Sequence, residues 1–489
     1  MSFMFPSRKP QQLTLILVAG FSLLHLLVIG RFGLSGDEAH YALYGLHLDW
    51  SYFDHPPLVG WLQSLVLLFS ESNFALRFWP VILSVLSSWL LFRLVADIYP
   101  GDAYWSAFIA VALLQGMLVF QILSLAMLPD TPLLAAGLAT AWLCYRILEE
   151  NRQREWLLLG AVLGLAGLAK YTAILLVPSV LVLVLLSRGW RYFLGSWPWF
   201  GAILGIMLIF PVFYWNWQHD WVSFAYQLGH GLPDRSWQMD RFLISAAGQI
   251  IAYGPLITLL APVILLLAAR QQLSTGVQYA LIFGFPYVLF FAWSSGFKEV
   301  LPHWTMFGWA LIIPPIAHWL ISHWAKLWIR TVSILGLSYG FVLALILHTE
   351  LFFPWMPFQE HKYPFADLYG WEQAVAQARM HRDAMLDSRD GGAVLFSGNW
   401  SYTSHIAWRA RPDIVQTLTR TGDQHHIWFG VPDDGAQGIL IVPASMRRSA
   451  SAWRERFSEC VLLEEVPYLI RGQLVTSFDL YMCSDFKRG

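Results

Sequence analysis

The side chains best suited to chemistry lie together in one stretch, residues 36–61, with the sequence GDEAHYALYGLHLDWSYFDHPPLVGW. This stretch directly follows the first long apolar segment of a chain that elsewhere avoids charge. It holds several carboxylic acids and imidazoles: Asp37, Glu38, His40, His47, Asp49, Asp54 and His55. Short connections seldom need so many ionisable groups. We therefore interpret the stretch as a reaction centre.

Asp37 and Glu38 are the first candidate catalytic residues. A carboxylate at a membrane–water boundary, beside low-dielectric walls, is well placed to act as a general base on a hydroxyl group. Acidic residues also favour the N-terminus of a helix, so the alternative is that the pair caps an interfacial helix beginning near Ala39. Both roles are compatible with the sequence.

The motif DHPP, residues 54–57, ends the same stretch. Its two prolines impose a rigid extended turn, which would hold Asp54 and His55 in place. For the prolines themselves, a stiff connection to the next helix is the better interpretation. His55 is a candidate substrate-binding residue. A divalent cation is a further option, with Asp37, Asp130 and His55 as candidate ligands, although hard-cation sites of this kind have no short spacing rule.

Later loops supply a second group of candidates. Asp130, in LAMLPDTPLL, is either a catalytic residue or a helix cap. Lys170 interrupts the otherwise uncharged run GLAGLAKYTAILL, and an intramembrane lysine is costly enough to indicate function. The other candidate substrate-binding residues are Arg241, Lys298 and His303, although Lys298 could simply be solvated. Cations beside acidic groups at a membrane surface are what an anionic lipid phosphate requires.

The composition places these residues in a membrane protein. The 489-residue chain is 57% hydrophobic and 13% charged, and its mean hydropathy is +0.50. The charged share is about half that of soluble globular proteins, which excludes an ordinary soluble enzyme. The net charge of -1 provides no field that would favour nucleic acid as a partner.

Apolar runs separated by short polar segments predict a mostly α, polytopic fold with about eleven membrane-spanning helices. The predicted spans are residues 13–29, 75–96, 104–123, 132–148, 156–169, 172–186, 198–214, 242–269, 277–293, 304–321 and 331–348. The first is expected to be retained, because no small-residue cleavage site follows it. The stretch 57–69 is predicted to be an interfacial helix.

Lysine and arginine are distributed unequally between the predicted loops, and cytoplasmic loops are usually the richer ones. With a cytoplasmic N-terminus, the inner loops hold Arg8, Lys9, Arg93, Arg146, Arg152, Arg154, Arg188, Arg191, Arg270, Lys326 and Arg330, and the outer loops hold Arg77, Lys170, Arg235, Arg241 and Lys298. This predicts that the first outer loop, residues 33–74, faces outward. Asp130 and His303 fall on the same side.

Residues 350–489 differ in character from the membrane domain, residues 1–349. They contain no apolar run that could span a membrane, a helical stretch at 371–385, and strand-like runs at 393–396, 427–430, 439–442 and 460–463. We predict a small C-terminal α/β domain, which an odd number of spans places outside. Cys460 and Cys483 would pair there if the compartment is oxidising.

The motifs also resemble those of a known family. The sequence GDEAHYALYGLHLDWSYFDHPPLVGWL is followed in order by LRFWPVILS, LPDTPLL, GLAKYTAILL, WNWQHDWVSFAYQ and KEVLPHW. This combination resembles the bacterial branch of the protein O-mannosyltransferase-like glycosyltransferases. These belong to the GT-C superfamily, alongside the aminoarabinose transferases that act on lipid A. The resemblance covers about residues 13–348.

The resemblance implies a bacterial inner-membrane enzyme, an inverting glycosyltransferase that takes a sugar from a polyprenyl phosphate at the periplasmic face. The acceptor would be a lipid, glycan or protein hydroxyl. By position, Asp37 matches the catalytic base of the family, Glu38 its acidic neighbour, and Asp130 the acidic residue of the second outer loop. Lys170 and Lys298 fall where relatives carry basic residues near the donor phosphate.

Two features leave alternatives open. His55 stands where the aminoarabinose transferases carry a lysine before Pro-Pro-Leu, so their donor and acceptor do not transfer directly to this chain. A transporter or flippase of a lipid-linked substrate would also explain the spans and Lys170, although the sequence contains no internal repeat. The identities of the sugar and the acceptor do not follow from the sequence.

Overall fold

The computed structural model describes residues 9–102, 104–231, 236–268, 274–359, 362–388, 392–420 and 422–488. Arg8, Arg235 and Arg270, which contribute to the predicted orientation, lie outside these residues. The described chain is helical as far as Phe352 and then forms a domain around a 5-stranded sheet, which we call the C-terminal sheet domain. The predicted fold class, a polytopic helical body with a small C-terminal domain, is confirmed.

The membrane body consists of helices joined mostly by short loops. In chain order they are α1 (Lys9–Val28), α2 (Gly36–Leu46), α3 (Leu58–Leu67), α4 (Asn73–Leu76), α5 (Phe78–Ile98), α6 (Trp105–Gln115), α7 (Leu118–Leu125), α8 (Asp130–Glu149), α9 (Glu155–Ala169), α10 (Leu176–Arg188), α11 (Trp197–Gln218), α12 (Val222–Gly231), α13 (Met239–Tyr253), α14 (Pro255–Ala268), α15 (Thr275–Tyr279), α16 (Phe285–Ser295), α17 (Met306–Ser322) and α18 (Leu327–Phe352). A π-helical turn, Ala280–Gly284, joins α15 to α16.

Within the described residues, 8 helical segments are long and apolar enough to cross a membrane. Two bent pairs, α6 with α7 at 71° and α13 with α14 at 108°, raise the total to 10 if each pair is one span. The predicted count of about eleven is not confirmed. The remaining candidate, α9, has 15 residues and is about 22 Å long, whereas the hydrocarbon core of a bilayer is about 30 Å thick.

The predicted span at 242–269 is not one continuous helix, because the chain bends by 108° between α13 and α14. Gly254 has φ of 87°, in the left-handed region that glycine adopts most readily. Pro255 then has no N–H group with which to continue α13. These two consecutive helix-breaking residues interrupt the helix, although the sequence on both sides is apolar.

Helices α9 and α11 approach each other closely at two glycines. A Cβ atom on Gly160 would lie 1.9 Å from the carbonyl oxygen of Gly201, so no larger residue fits without moving the backbone. Small residues permit such close packing between membrane helices. The contact packs the first half of α9 against α11, and the last residue of α9 directly precedes Lys170.

Helix α2 begins at Gly36, earlier than predicted, because Ser35 caps it. The Ser35 hydroxyl accepts a hydrogen bond from the Glu38 N–H, and the Glu38 carboxylate accepts one from the Ser35 N–H at 3.0 Å. This reciprocal capping box satisfies two N–H groups at the helix start. Helix α3 has 10 residues, too few for the roughly 20 that a bilayer requires.

The C-terminal sheet domain contains α19 (Trp371–Ser388), β1 (Ala393–Ser397), α20 (Trp400–Ala410), β2 (Val415–Thr417), α21 (Gln424–Phe429), β3 (Gln437–Pro443), α22 (Ala450–Arg454), β4 (Phe457–Ile470) and β5 (Gln473–Phe486). The strand order is β2-β1-β3-β5-β4. Strand β1 runs parallel to β2 and β3, and β5 runs antiparallel to β3 and β4.

Most of the predicted elements of this domain are present. The helix at 371–385 is α19, and the strands at 393–396, 439–442 and 460–463 lie in β1, β3 and β4. The strand predicted at 427–430 is wrong. Asp423 caps α21 there by accepting a hydrogen bond from the His426 N–H at 3.0 Å. Cys460 and Cys483 form the predicted disulfide, between paired positions of β4 and β5.

Candidate active site

Glu38 is held by a fully buried arginine from the start of α5. Arg77 Nε donates to Glu38 Oε1 at 2.6 Å, and Arg77 Nη2 donates to Oε2 at 2.7 Å. Arg77 also donates to the carbonyl oxygens of Ile29, Phe32 and Gly33. Both oxygens of Glu38 are engaged by Arg77 and one also by the capping box. The geometry therefore favours the capping alternative for Glu38.

Asp37 lies next to Glu38 and has the opposite environment. It is partly buried, and the described residues offer its carboxylate no hydrogen-bond or ion-pair partner. Burial, together with the nearby carboxylates of Asp367 and Asp54, raises the pKa of Asp37 to about 6. The nearby His40 has the opposite effect and lowers this pKa. A general base works best when its pKa lies near the operating pH. Asp37 is therefore suited to accept a proton near neutrality.

Asp54 is surrounded by donors. The Tyr44 hydroxyl donates a short hydrogen bond to Oδ1, His40 Nε2 lies 3.3 Å from the same oxygen, and His55 Nε2 lies 3.9 Å from Oδ2. Burial by itself would raise the pKa of Asp54. The charge and hydrogen bond of His40, together with the Tyr44 hydroxyl, instead hold that pKa well below its ordinary value. Asp54 therefore serves as an ionised anchor for the loop.

Asp130, at the start of α8, forms a buried ion pair with Lys170. The Lys170 Nζ atom lies 2.8 Å from both carboxylate oxygens, and the two residues are 5% and 7% exposed. His303 Nε2 lies 3.7 Å from Asp130 Oδ2. Trp304 places its ring centroid 5.5 Å from the Lys170 ammonium group. Lys170, the predicted intramembrane lysine, is thus paired with Asp130. Its ammonium group has three N–H bonds, of which two are directed at Asp130, so the third is available to another acceptor.

His55 and Tyr41 lie between these groups. Burial lowers the pKa of His55 to about 4, against the effect of Asp54, so the imidazole is neutral at pH 7. Its buried Nδ1 atom has no hydrogen-bond partner in the described chain. Burial, followed by Asp37, Asp54 and Asp130, raises the pKa of Tyr41 well above its ordinary value. Asp37, Asp54 and Asp130 therefore act on one common side chain, Tyr41, and Asp54 and the Asp130–Lys170 pair also act on His55.

The structure does not pair every predicted cation with these carboxylates. Arg241 donates to the carbonyl oxygen of Phe297 at 2.9 Å. Lys298 is half-buried, and burial alone lowers its pKa. Neither side chain makes a hydrogen bond or an ion pair with Asp37 or Asp130 in the described structure. Among the described candidates for substrate binding, Lys170 and His303 lie within ion-pair distance of Asp130, and His55 lies 3.9 Å from Asp54.

The candidate metal ligands do not assemble either. Among the described residues, no group of three or more His, Cys, Asp or Glu side chains lies in a geometry that could hold a metal ion. Asp37, Asp130 and His55 therefore do not form the ligand set considered from the sequence. The physical reason is that the Lys170 ammonium group occupies both oxygens of Asp130.

The contribution of the C-terminal sheet domain was missed from the sequence. Ser404 Oγ, on α20, lies 2.9 Å from His40 Nδ1 and 2.9 Å from His425 Nε2. The Asp367 carboxylate accepts a hydrogen bond from the Gly36 N–H at 3.1 Å. These contacts join residues 364 and 331 positions apart. No local pattern marks such residues, so the folded chain is needed to find them.

Sequence comparisons relate the chain to lipid-dependent transferases. Residues 54–215 match a family model described as dolichyl-phosphate-mannose-protein mannosyltransferase. A curated relative from Enterobacter sp. (strain 638), named undecaprenyl phosphate-alpha-4-amino-4-deoxy-L-arabinose arabinosyl transferase, is 28% identical over 209 residues, which cover 37% of this chain and 36% of the relative. A protein of the same name from Edwardsiella ictaluri is 29% identical over 181 residues, 33% of this chain and 32% of the relative. The chain thus matches about a third of the length of these relatives.

Solved structures show the same fold. The crystal structure of ArnT from Cupriavidus metallidurans has a TM-score of 0.63 and 13% identity, covering 96% of this chain and 98% of that one. The oligosaccharyltransferase of Archaeoglobus fulgidus in its apo form has a TM-score of 0.51 and 12% identity, covering 90% and 71%. Part of this chain is thus similar in sequence to aminoarabinose transferases, and its fold is similar to those of ArnT and the oligosaccharyltransferase, in keeping with the resemblance that the motifs indicate.

Proposed function

We propose that this chain is an integral-membrane, inverting glycosyltransferase that moves a sugar from a polyprenyl-phosphate donor to a hydroxyl acceptor. The observation that carries the proposal is Asp37, a partly buried carboxylate with a pKa raised to about 6 and no described partner. Both Asp37 and Asp130, the ion-pair partner of Lys170, act on the side chain of Tyr41. The name of the relatives, which specifies undecaprenyl phosphate, and the description of the matching family model, which specifies dolichyl phosphate, support a lipid-phosphate-linked donor.

In the proposed reaction, Asp37 accepts the proton of the acceptor hydroxyl while its oxygen attacks the anomeric carbon of the sugar. The bond between that carbon and the phosphate oxygen breaks, and its electron pair leaves with the polyprenyl phosphate. Attack opposite the leaving group inverts the anomeric configuration. A phosphate departs without a general acid, but its developing charge requires stabilisation.

Lys170, His55 and His303 are the side chains best placed to provide that stabilisation. Lys170 has one ammonium N–H beyond the two that Asp130 accepts. The unpartnered Nδ1 of His55 provides a further donor when it carries the ring proton. Arg241 and Lys298, which do not reach Asp130, would contact parts of the substrate farther from the reacting carbon.

We further propose that residues 1–349 are the membrane transferase domain, with the outer loop 33–74, and that residues 350–489 form a periplasmic domain. The N-terminus is then cytoplasmic and the membrane is the bacterial inner membrane. The Cys460–Cys483 disulfide supports this placement, because disulfides persist in oxidising compartments. Lipids, glycans and secreted proteins are the acceptors available on that side.

The test compares cells that produce the wild-type protein, Asp37→Asn or Asp240→Asn, by mass spectrometry of envelope lipids, glycans and secreted proteins. Asp240 is an exposed carboxylate at the start of α13, so its variant controls for the chemical change. We expect Asp37→Asn alone to remove one sugar from one molecule and to accumulate the lipid-linked donor.

Product formed at the wild-type level by a normally expressed Asp37→Asn protein would refute the proposal. A loss of lipid movement across the bilayer, with no covalent product in any strain, would instead favour the transporter or flippase.

A further inference from the structure

A cleft lined by both polar and apolar residues lies where the segment that follows α1 meets the C-terminal sheet domain. It encloses about 680 Å³ and is walled by residues 30–33 on one side and by parts of α19 and α20 on the other. Helix α1 is a candidate membrane span that ends at Val28. The cleft is therefore at the membrane boundary. Asp37 does not line it.

The ionisable lining of this cleft is predominantly positive. It consists of Arg31, Arg409, Arg411 and Glu372, so that three guanidinium groups face one carboxylate. Clefts lined by one sign of charge concentrate ligands of the opposite sign. The lining therefore favours an anion.

Arg409, near the end of α20, has the least complete set of partners. Its Nη1 donates to the carbonyl oxygen of His405 at 3.1 Å and lies 3.3 Å from His405 Nδ1. Within the described chain no carboxylate lies in ion-pair distance of its guanidinium, and its Nε and Nη2 have no hydrogen-bond partner. Glu372 and Asp367 act on Arg409 from beyond that distance, so the hydration that this partly buried cation has lost is incompletely replaced.

Arg411 is pre-oriented beside it. Its guanidinium carbon lies 3.6 Å from the centroid of the Trp408 ring, and its Nη2 donates to Glu71 at 2.8 Å. Its Nη1 is buried and has no hydrogen-bond partner among the described residues. A stacked guanidinium loses little conformational freedom when it binds a further oxygen. The cleft thus has more donors than the protein itself satisfies.

We propose that this cleft binds the phosphate group of an anionic membrane lipid, through Arg409 and Arg411, at a site separate from Asp37. Guanidinium groups match phosphate oxygens with paired, charge-assisted hydrogen bonds. Phospholipid headgroups at the membrane boundary carry such phosphate groups. Because residues 30–33, which follow α1, and the C-terminal sheet domain form the cleft together, the bound lipid links that domain to the membrane body. The proposal does not depend on the transferase reaction.

The test uses native mass spectrometry of the full-length protein after incubation with phosphatidylcholine vesicles that contain or lack phosphatidic acid. We expect the wild-type protein to retain phosphatidic acid and its Tm to rise with the concentration of that lipid. Arg409→Gln should weaken retention about tenfold or more. Arg448→Gln, which changes an exposed arginine of the same domain, should retain phosphatidic acid like the wild type.

A second variant guards against misfolding of Arg409→Gln. Arg31 is exposed and places its guanidinium carbon 4.8 Å from the Phe352 ring centroid, so Arg31→Gln should fold and weaken retention roughly twofold to fivefold. Equal retention by the wild type, Arg409→Gln and Arg31→Gln would overturn the site. Binding of inorganic phosphate in a parallel experiment, without retention of phosphatidic acid, would overturn its assignment to a lipid.

Discussion

The two carboxylates that open α2 lie in contrasting regions. Glu38 faces the membrane body, where Arg77 is fully buried and donates to both of its oxygens. Asp37 has no described partner, and burial among other carboxylates raises its pKa to about 6. Consecutive residues are about 100° apart around a helix, so neighbours can face different environments. One carboxylate anchors the loop, and the next is left available for proton transfer.

The largest expected effect is on catalysis, in the Asp37 region. Asp37→Asn should lower the rate of sugar transfer by about 10²- to 10⁴-fold, because the amide cannot accept the hydroxyl proton. Its Tm should not fall, since a neutral amide removes the cost of burying a charge. Transfer assays and thermal unfolding of the purified variant would measure both. If Asp37→Asn transfers sugar at a rate close to that of the Asp240→Asn control, Asp37 is not the general base and does not differ from Glu38 in this respect.

The next effect is on stability, in the Glu38 region. Arg77→Gln should lower the free energy of unfolding by about 3–5 kcal/mol, because it leaves Glu38 buried without its cation. Denaturant unfolding in detergent would measure this loss. Arg93→Gln is the control, since Arg93 is 46% exposed in its pair with Asp97 and should cost about 1 kcal/mol or less. Equal losses in both variants would show that Arg77 is not the anchor.

The pH dependence of transfer should reveal the unpartnered carboxylate. Below pH 6 the rate should fall about tenfold per pH unit, because Asp37 must lose its proton before it can act. The folded protein holds this proton more tightly than the unfolded chain, whose ordinary pKa is 3.8. The stability contributed by Asp37 is therefore present below about pH 4 and is lost as the pH rises through 6. If the pH profiles of rate and stability are the same for the wild-type protein and for Asp37→Asn, the raised pKa does not belong to Asp37.

The smallest expected effect comes from the domain that packs on α2. Ser404→Ala removes the partner of His40 Nδ1 and should cost about 1 kcal/mol of stability. Because His40 lowers the pKa of Asp37, a less firmly held His40 should move the acidic limb of the rate profile to higher pH. Ser451→Ala, at an exposed serine of α22, should leave the limb in place. If the acidic limb of the rate profile stays at the same pH in both variants, Ser404 has only a structural role.

The sequence identified the residues of the site more successfully than their roles. Both the catalytic and the capping roles of Glu38 were open, and Arg77, 39 positions away, decides between them. Lys170 was predicted to be a functional intramembrane cation, and the structure shows its ammonium group 2.8 Å from Asp130. The strand predicted at 427–430 is a helix because Asp423 caps it. In each case a partner outside the predicted motif determined the outcome.

By itself, the sequence determined the helical membrane body, the C-terminal sheet domain and the concentration of carboxylates in residues 36–61. These follow from hydropathy, helix capping and strand patterns, which act over neighbouring residues. Only the tertiary structure decided which carboxylate is unpartnered, how Lys170 is neutralised, and that α20 packs against α2. A pKa and an ion pair depend on distances between groups that the fold brings together from distant positions, and a linear sequence does not contain those distances.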